Sequence, residues 1–246
     1  MQPVKKQLEI LLMHYFRQCY GAFPKGKLVP SESPDFIVNL KTRNRIGIEL
    51  TRLYPGSSAV SRTEYSEYHH FQMNVIELSK MLFENNSKLK LFVKVLFAEN
   101  KPADVRGNMM TAVQITNAIR KALKNKKSGD IFYIVVDKNN LPSGLEKILI
   151  TSHPALEVSV WERSDNLGIS ENILEDINVA IVKKDEKLRL YHRQNLNLYW
   201  LIITTDRLKG TMNHKIQLKL LNSDFRSRFQ NVYLFDLIKS NILQLV

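Results

Sequence analysis

Cysteine is almost absent: Cys19 is the single thiol in 246 residues. An intrachain disulfide is therefore excluded, and one thiol suits a reducing compartment. No apolar run approaches the length needed to cross a bilayer. The N-terminus, Met1-Gln2-Pro3-Val4-Lys5-Lys6, leads into an amphipathic pattern that Glu9, His14 and Arg17 interrupt. That pattern is not the apolar stretch of a signal peptide. The expectation is a cytoplasmic protein with no membrane partner. There is no Gly-x-x-x-x-Gly-Lys-Ser/Thr phosphate loop, no cysteine–histidine zinc spacing and no Gly-x-Ser-x-Gly elbow. No Pro/Gly/Ser linker, repeat or low-complexity tract divides the chain.

Acidic residues are also scarce relative to basic ones. Lys and Arg number 36 against 24 Asp and Glu, a formal charge of +12. Such an excess favours polyanions through counterion release and steering, and nucleic acid is the natural partner. Apolar content of 44% and charged content of 24% are those of a globular protein.

Helices and strands alternate. Leu8, Leu11, Leu12, Tyr15, Phe16 and Cys19 follow helical spacing across residues 4 to 20. Residues 22 to 34, punctuated by Pro24, Gly26, Pro30 and Pro34, read as a loop. Two apolar runs follow, Phe36-Ile37-Val38 and Ile46-Gly47-Ile48-Glu49-Leu50, joined by the polar stretch Asn39 to Asn44. They read as an antiparallel hairpin. Further on, the pattern predicts helices over Ser61–Asn85 and Asp104–Asn125, and from Ser170 or Glu171 to near Arg193. It predicts a short helix over Ser143–Ile150 and another over Ile216–Leu221. Strands are expected over Leu89–Phe97, Ile131–Val136 (an interior strand, being apolar throughout), Val158–Trp161, Tyr199–Thr204 and Val232–Phe235. The fold class is α/β, a mixed sheet flanked by helices in a single domain over 1–246. The core is expected over about 1–136 and an elaboration over about 137–246.

The hairpin carries an acid at each end. Asp35 precedes the first run and Glu49 lies fourteen positions later inside the second. Paired strands bring the two close at one sheet edge. Carboxylates held together repel, so burial or a cation must compensate, and oxygen ligands suit Mg²⁺.

Pro34-Asp35 and Glu49-Leu50-Thr51, with a helix before, an apolar hairpin between and a helix after, resemble the PD-(D/E)XK, or restriction-endonuclease-like, nuclease superfamily. The string from Gly26-Lys27-Leu28 to Gly47-Ile48-Glu49-Leu50-Thr51 looks like uncharacterised bacterial members of it. Thr51 stands where the family usually has lysine. The resemblance implies a restriction-endonuclease-like core and Mg²⁺- or Mn²⁺-dependent endonuclease or exonuclease activity on nucleic acid, DNA before RNA. Many double-strand cutters of this kind pair up, so a homodimer is a further expectation.

By the same resemblance Asp35 and Glu49 hold the metal, with the Leu50 carbonyl as a further ligand and Glu9 of the first helix as a possible one. Thr51 can hydrogen-bond a water but brings no charge. The missing cation is expected first from Lys94, a lysine within an apolar strand, and second from the basic helix around Lys183 to Lys187. Glu32 and Gln72 are further candidates, beside their ordinary roles as a loop cap and a polar helix face. Lys25, Lys27, Arg120, Lys121, Lys124, Lys127, Lys183, Lys184 and Lys187 are candidate phosphate contacts. Each could equally be a solvated surface charge, and cations at a helix C-terminus are favoured by the dipole in any case. Two competing readings remain: a catalytically silent nucleic-acid binder, and an interaction protein. In the last, Asp35 caps a turn and Glu49 pairs with Arg45 or Arg52.

Overall fold

A computed structural model of the chain describes residues 2–53, 67–98, 107–164, 173–191, 195–206 and 218–246. The elements in chain order are α1 (Val4–Cys19), β1 (Gly26–Pro30), β2 (Phe36–Leu40), β3 (Arg45–Arg52), α2 (Glu67–Glu84), β4 (Phe92–Phe97), α3 (Asn108–Ala122) and β5 (Phe132–Asp137). There follow β6 (Leu145–Ser152), β7 (Val160–Arg163), α4 (Ile173–Asp185), β8 (Leu198–Thr205), β9 (Asn231–Asp236) and β10 (Asn241–Gln244). A 3-10 segment, Glu186–Leu190, prolongs α4. The class is α/β, with mixed sheets flanked by helices. The expected starts near Ser61, Asp104, Ser170 and Ile216, and the end near Arg193, lie outside the described residues.

The chain divides into two compact units, one of Met1–Leu11 with Ser61–Asn166, the other of Leu12–Val60 with Leu167–Val246. Beside the expected core over 1–136 stands the observation that α4 and β8–β10 belong with the hairpin, in the second unit.

The first unit holds a four-stranded sheet in the order β5-β6-β4-β7, antiparallel except for the β4/β7 pair. Alternation along β4 sends Val93, Val95 and Phe97 to one face. There they pack with Val75, Ile76 and Phe83 of α2 and Ile115 and Ile119 of α3 in one apolar cluster. Two expectations are corrected here. Ser143–Ile150 is not a helix: β6 occupies it, because Leu145 and Ile148 to Ser152 are buried between strands on both sides. The spacing of 145, 148 and 149 mimics a helical face, and Gly144, at φ 87°, turns the chain into the strand instead. The run 131–136 is an edge strand, not an interior one, and its middle residues are only partly buried.

The second unit holds a six-stranded sheet in the order β1-β2-β3-β8-β9-β10. The strands β1, β2 and β3 form an antiparallel meander; β3, β8 and β9 run parallel; β10 returns antiparallel. Part of the expected loop 22–34 is thus the edge strand β1, where Pro30 costs no interior hydrogen bond. β10, for which no strand was expected, closes the other edge. One face of this sheet meets the C-terminal half of α1, where Phe16 lies edge-on to Tyr233 and Phe235, with centroids 5.5 and 5.6 Å away. The other face meets α4. Ile173, Ile177 and Ile181 cluster with Leu201 and Ile203 of β8 and Val232 and Leu234 of β9. Since β3 and β8 pair with Glu49 beside Leu201 and Thr51 beside Ile203, both Glu49 and Thr51 point to the α4 face.

Candidate acid–lysine site

The hairpin register sets the acids together. Phe36 lies opposite Ile48, so Asp35, one step earlier, comes opposite Glu49, one step later. Residues opposite each other in an antiparallel pair share a face. Pro34 packs over Gly47: a Cβ added there would lie 2.8 Å from the proline ring and 2.7 Å from Leu196 Cδ1. This close approach accounts for a glycine inside an otherwise apolar strand. The backbone then fixes Asp35 in turn, because the Leu50 N–H donates to Asp35 Oδ2 at 2.7 Å.

Glu49 is buried, with 5% of its surface exposed. A carboxylate in that position needs a partner. It has two, both delivered by α4 and its 3-10 extension. Lys184 Nζ lies 2.6 Å from Glu49 Oε1 and also donates to the Leu50 carbonyl at 3.3 Å. The Tyr191 phenol is the other neighbour: burial above all, then its interaction with the Glu49 carboxylate, then the charges of Glu49 and Asp35, push it well above its ordinary value. The Tyr191 ring is buried and stacks on Tyr199 of β8, with centroids 6.3 Å apart at 27°.

The sequence carried a signal for both partners. Ile177, Ile181, Lys184, Leu188 and Tyr191 recur every three or four residues, so Lys184 occupies the apolar stripe. Lys183 and Lys187, off that stripe, are exposed. In the sequence Lys184 stands with them both as a phosphate contact and within the Lys183 to Lys187 stretch expected second as the source of the missing cation.

The arginines proposed as structural partners of Glu49 are engaged elsewhere. Arg52 pairs with Asp206 at 2.9 Å, and Arg45 Nε donates to Asn39 Oδ1 at 3.3 Å. Thr51 is half-buried on the Glu49 face, and its carbonyl accepts from the Thr204 hydroxyl at 3.3 Å. Glu32 is exposed before the hairpin, and Lys25 and Lys27 are exposed at β1.

The remaining candidates belong to the first unit. Lys94 is 2% exposed and its ammonium lies 2.7 Å from Glu162 Oε1, the residue beside it on β7. That pair supplies the reason for a lysine in an apolar strand. Gln72 is buried in α2, where its side-chain oxygen accepts from Arg163 Nη1 at 3.1 Å. Glu9 bridges Lys5 and Lys6 of its own helix, at 3.5 and 3.3 Å. Arg120 donates to the Leu82 carbonyl at 2.9 Å near the end of α2. Lys121, Lys124 and Lys127 are exposed, and Lys126, which had not been singled out, lies over the Phe132 ring at 5.5 Å.

Among the described residues no three His, Cys, Asp or Glu side chains form a metal-binding group. The oxygens gathered at the hairpin are two carboxylates and the Leu50 carbonyl, all hard. Their chemistry fits a Mg²⁺-class ion, which keeps several waters and takes few protein ligands. The ammonium lying between Glu49 and the Leu50 carbonyl marks these oxygens as a place where positive charge is accommodated. Comparison with family models, with curated proteins and with solved structures finds no match to this chain.

Proposed function

We propose that the chain is a divalent-cation-dependent nuclease of the PD-(D/E)XK kind, acting on phosphodiester bonds of nucleic acid, DNA in the first instance. One observation carries the reading: the two acids of the half-motifs, the Leu50 carbonyl and a lysine ammonium converge in the second unit. In chain order a helix, α1, precedes the hairpin and a helix, α2, follows it, and within the second unit α4 packs on the sheet face to which Glu49 points.

In this reading Asp35, Glu49 and the Leu50 carbonyl hold the ion. When bound, a divalent cation supplies Lewis-acid chemistry, lowering the pKa of a water and neutralising charge on the scissile phosphate. Lys184 provides the ammonium that Thr51 does not, and so stands in the role first given to Lys94. A half-buried ammonium held against Glu49 is placed to stabilise charge that develops on phosphoryl oxygens. Tyr191, whose phenol lies beside the Glu49 carboxylate, limits the orientations open to it. The net charge of +12 supplies general attraction for a polyanion.

The test is incubation of the purified protein with plasmid and Mn²⁺, beside Asp35→Ala and Glu49→Ala. A nuclease nicks or linearises the plasmid, and both variants lose the activity. Salt-steep DNA retention without cleavage would instead identify a silent binder. Neither property, with both substitutions only lowering stability, would leave the acid pair as a structural feature.

A further inference from the structure

Lys184 sits on two of the oxygens that the proposed function assigns to the cation. Its Nζ is 2.6 Å from Glu49 Oε1 and 3.3 Å from the Leu50 carbonyl. Hard divalent ions hold oxygen ligands at about 2.0–2.6 Å, so an ion on the same two oxygens would overlap the ammonium. Two positive centres cannot share that space, and the repulsion between them is large away from bulk water.

We infer that Lys184 is a tethered competitor for the divalent cation. It neutralises Glu49 until the ion is bound, then yields both oxygens and swings toward the substrate phosphate. This inference rests on the proposed nuclease reading and adds a regulation to it. The ion reaches the acids only by exchange with the lysine, so ion loading and release of the ammonium are one event.

The construction of the site suits such an exchange. A lysine is a point charge on a flexible four-carbon stem, able to move several ångströms without its helix moving. The Lys184 side chain retains 13% exposure, more than the 6% of Glu49, so it is not fully enclosed. Glu49 is held on strand β3 between β2 and β8, with the Tyr191 phenol beside its carboxylate and the Tyr191 ring stacked on Tyr199. Asp35 is held separately by the Leu50 N–H. When the ammonium leaves, the oxygen donors stay.

The experiment is calorimetric titration of Mn²⁺ into the full chain, wild type beside Lys184→Gln and Glu49→Gln. Competition predicts that Lys184→Gln binds Mn²⁺ at least about tenfold more tightly than wild type, since the competing charge is gone. Glu49→Gln should bind much more weakly than either. Binding by Lys184→Gln with none by wild type would be the extreme form of the same result. Equal or weaker binding by Lys184→Gln, with wild type binding normally, would overturn the inference and leave the nuclease reading standing. No binding by wild type or Lys184→Gln would overturn both.

Because Lys184→Gln strips a buried carboxylate of its cation and could unfold, a second measurement uses wild type alone. The rate at which an amine-acylating ester modifies Lys184 is followed by mass spectrometry with and without saturating Mg²⁺. Release predicts a several-fold faster reaction at Lys184 with Mg²⁺ and no change at Lys94. An unchanged Lys184 rate under conditions where Mg²⁺ binds would refute the exchange.

Discussion

The Glu49–Lys184 contact makes a quantitative demand. Its side chains are 6% and 13% exposed and 2.6 Å apart. Removing one partner of such a pair strands the other, at a cost of about 3–5 kcal/mol. Lys184→Met should fall within that range, since it leaves the Glu49 carboxylate buried without its ammonium. Glu49→Gln leaves Lys184 with an amide oxygen and the Leu50 carbonyl, so its cost should be smaller, about 1–2 kcal/mol. The double variant should cost less than the sum, with a coupling energy of about 1.5–3 kcal/mol, against about 0.2–1 for an exposed pair. Urea unfolding can isolate the relevant unit. The chain has two tryptophans, both buried: Trp161 in the first unit and Trp200 in the second. In a Trp161→Phe background, Trp200 fluorescence reports on the sheet that carries the acids. A coupling below about 0.5 kcal/mol would refute the argument, because a pair so weak behaves as solvated.

Three further outcomes follow from the packing. Lys94→Met removes the ammonium beside the Glu162 carboxylate, which is one-third exposed, and should destabilise the first unit by about 1–3 kcal/mol as read by Trp161. Gly47→Ala drives a methyl group to within 2.8 Å of the Pro34 ring and should cost about 1–3 kcal/mol, read by Trp200, while displacing Asp35 from the Leu50 N–H. Alkaline stability should fall early. Burial first, then the charges of Cys19 and Asp236, raise Tyr15 from 10.0 to about 12 against a countering hydrogen bond to Ser240, and Tyr191 and Tyr233 are raised as well. The folded phenol keeps a proton that the unfolded chain releases. Its stabilisation is therefore complete below pH 10 and lost between pH 10 and 12, at about 1.4 kcal/mol per pH unit for Tyr15. Urea midpoints at pH 9, 10 and 11 check this, and Tyr15→Phe should flatten the slope.

What the sequence disclosed followed the range of its signals. The helix over residues 4–20 and the hairpin were legible because period and turn chemistry are local. Strand β6 was not, because Leu145, Ile148 and Leu149 satisfy a helical spacing as well as a buried strand does. Only the strands on either side decide between them. The parallel pairing of β3 with β8 joins residues about 150 positions apart, and no local pattern specifies it. That pairing, with α4 laid across it, is also what selects Lys184. The lysine conspicuous in sequence was Lys94, whose apolar surroundings demanded an explanation that Glu162 supplies. Lys184 was hidden among Lys183, Lys187 and Arg189, and its place on the stripe with Ile177, Ile181, Leu188 and Tyr191 was the readable distinction.

The most direct measurement is single-turnover cleavage of a labelled duplex in Mn²⁺ by wild type, Lys184→Met and Lys94→Met, each first shown to be folded. Loss of cleavage by about 100-fold or more in Lys184→Met, with Lys94→Met close to wild type, is the expected result for an ammonium acting in the transition state. Full activity in Lys184→Met, or loss only in Lys94→Met, would contradict the assignment of the acid–lysine site.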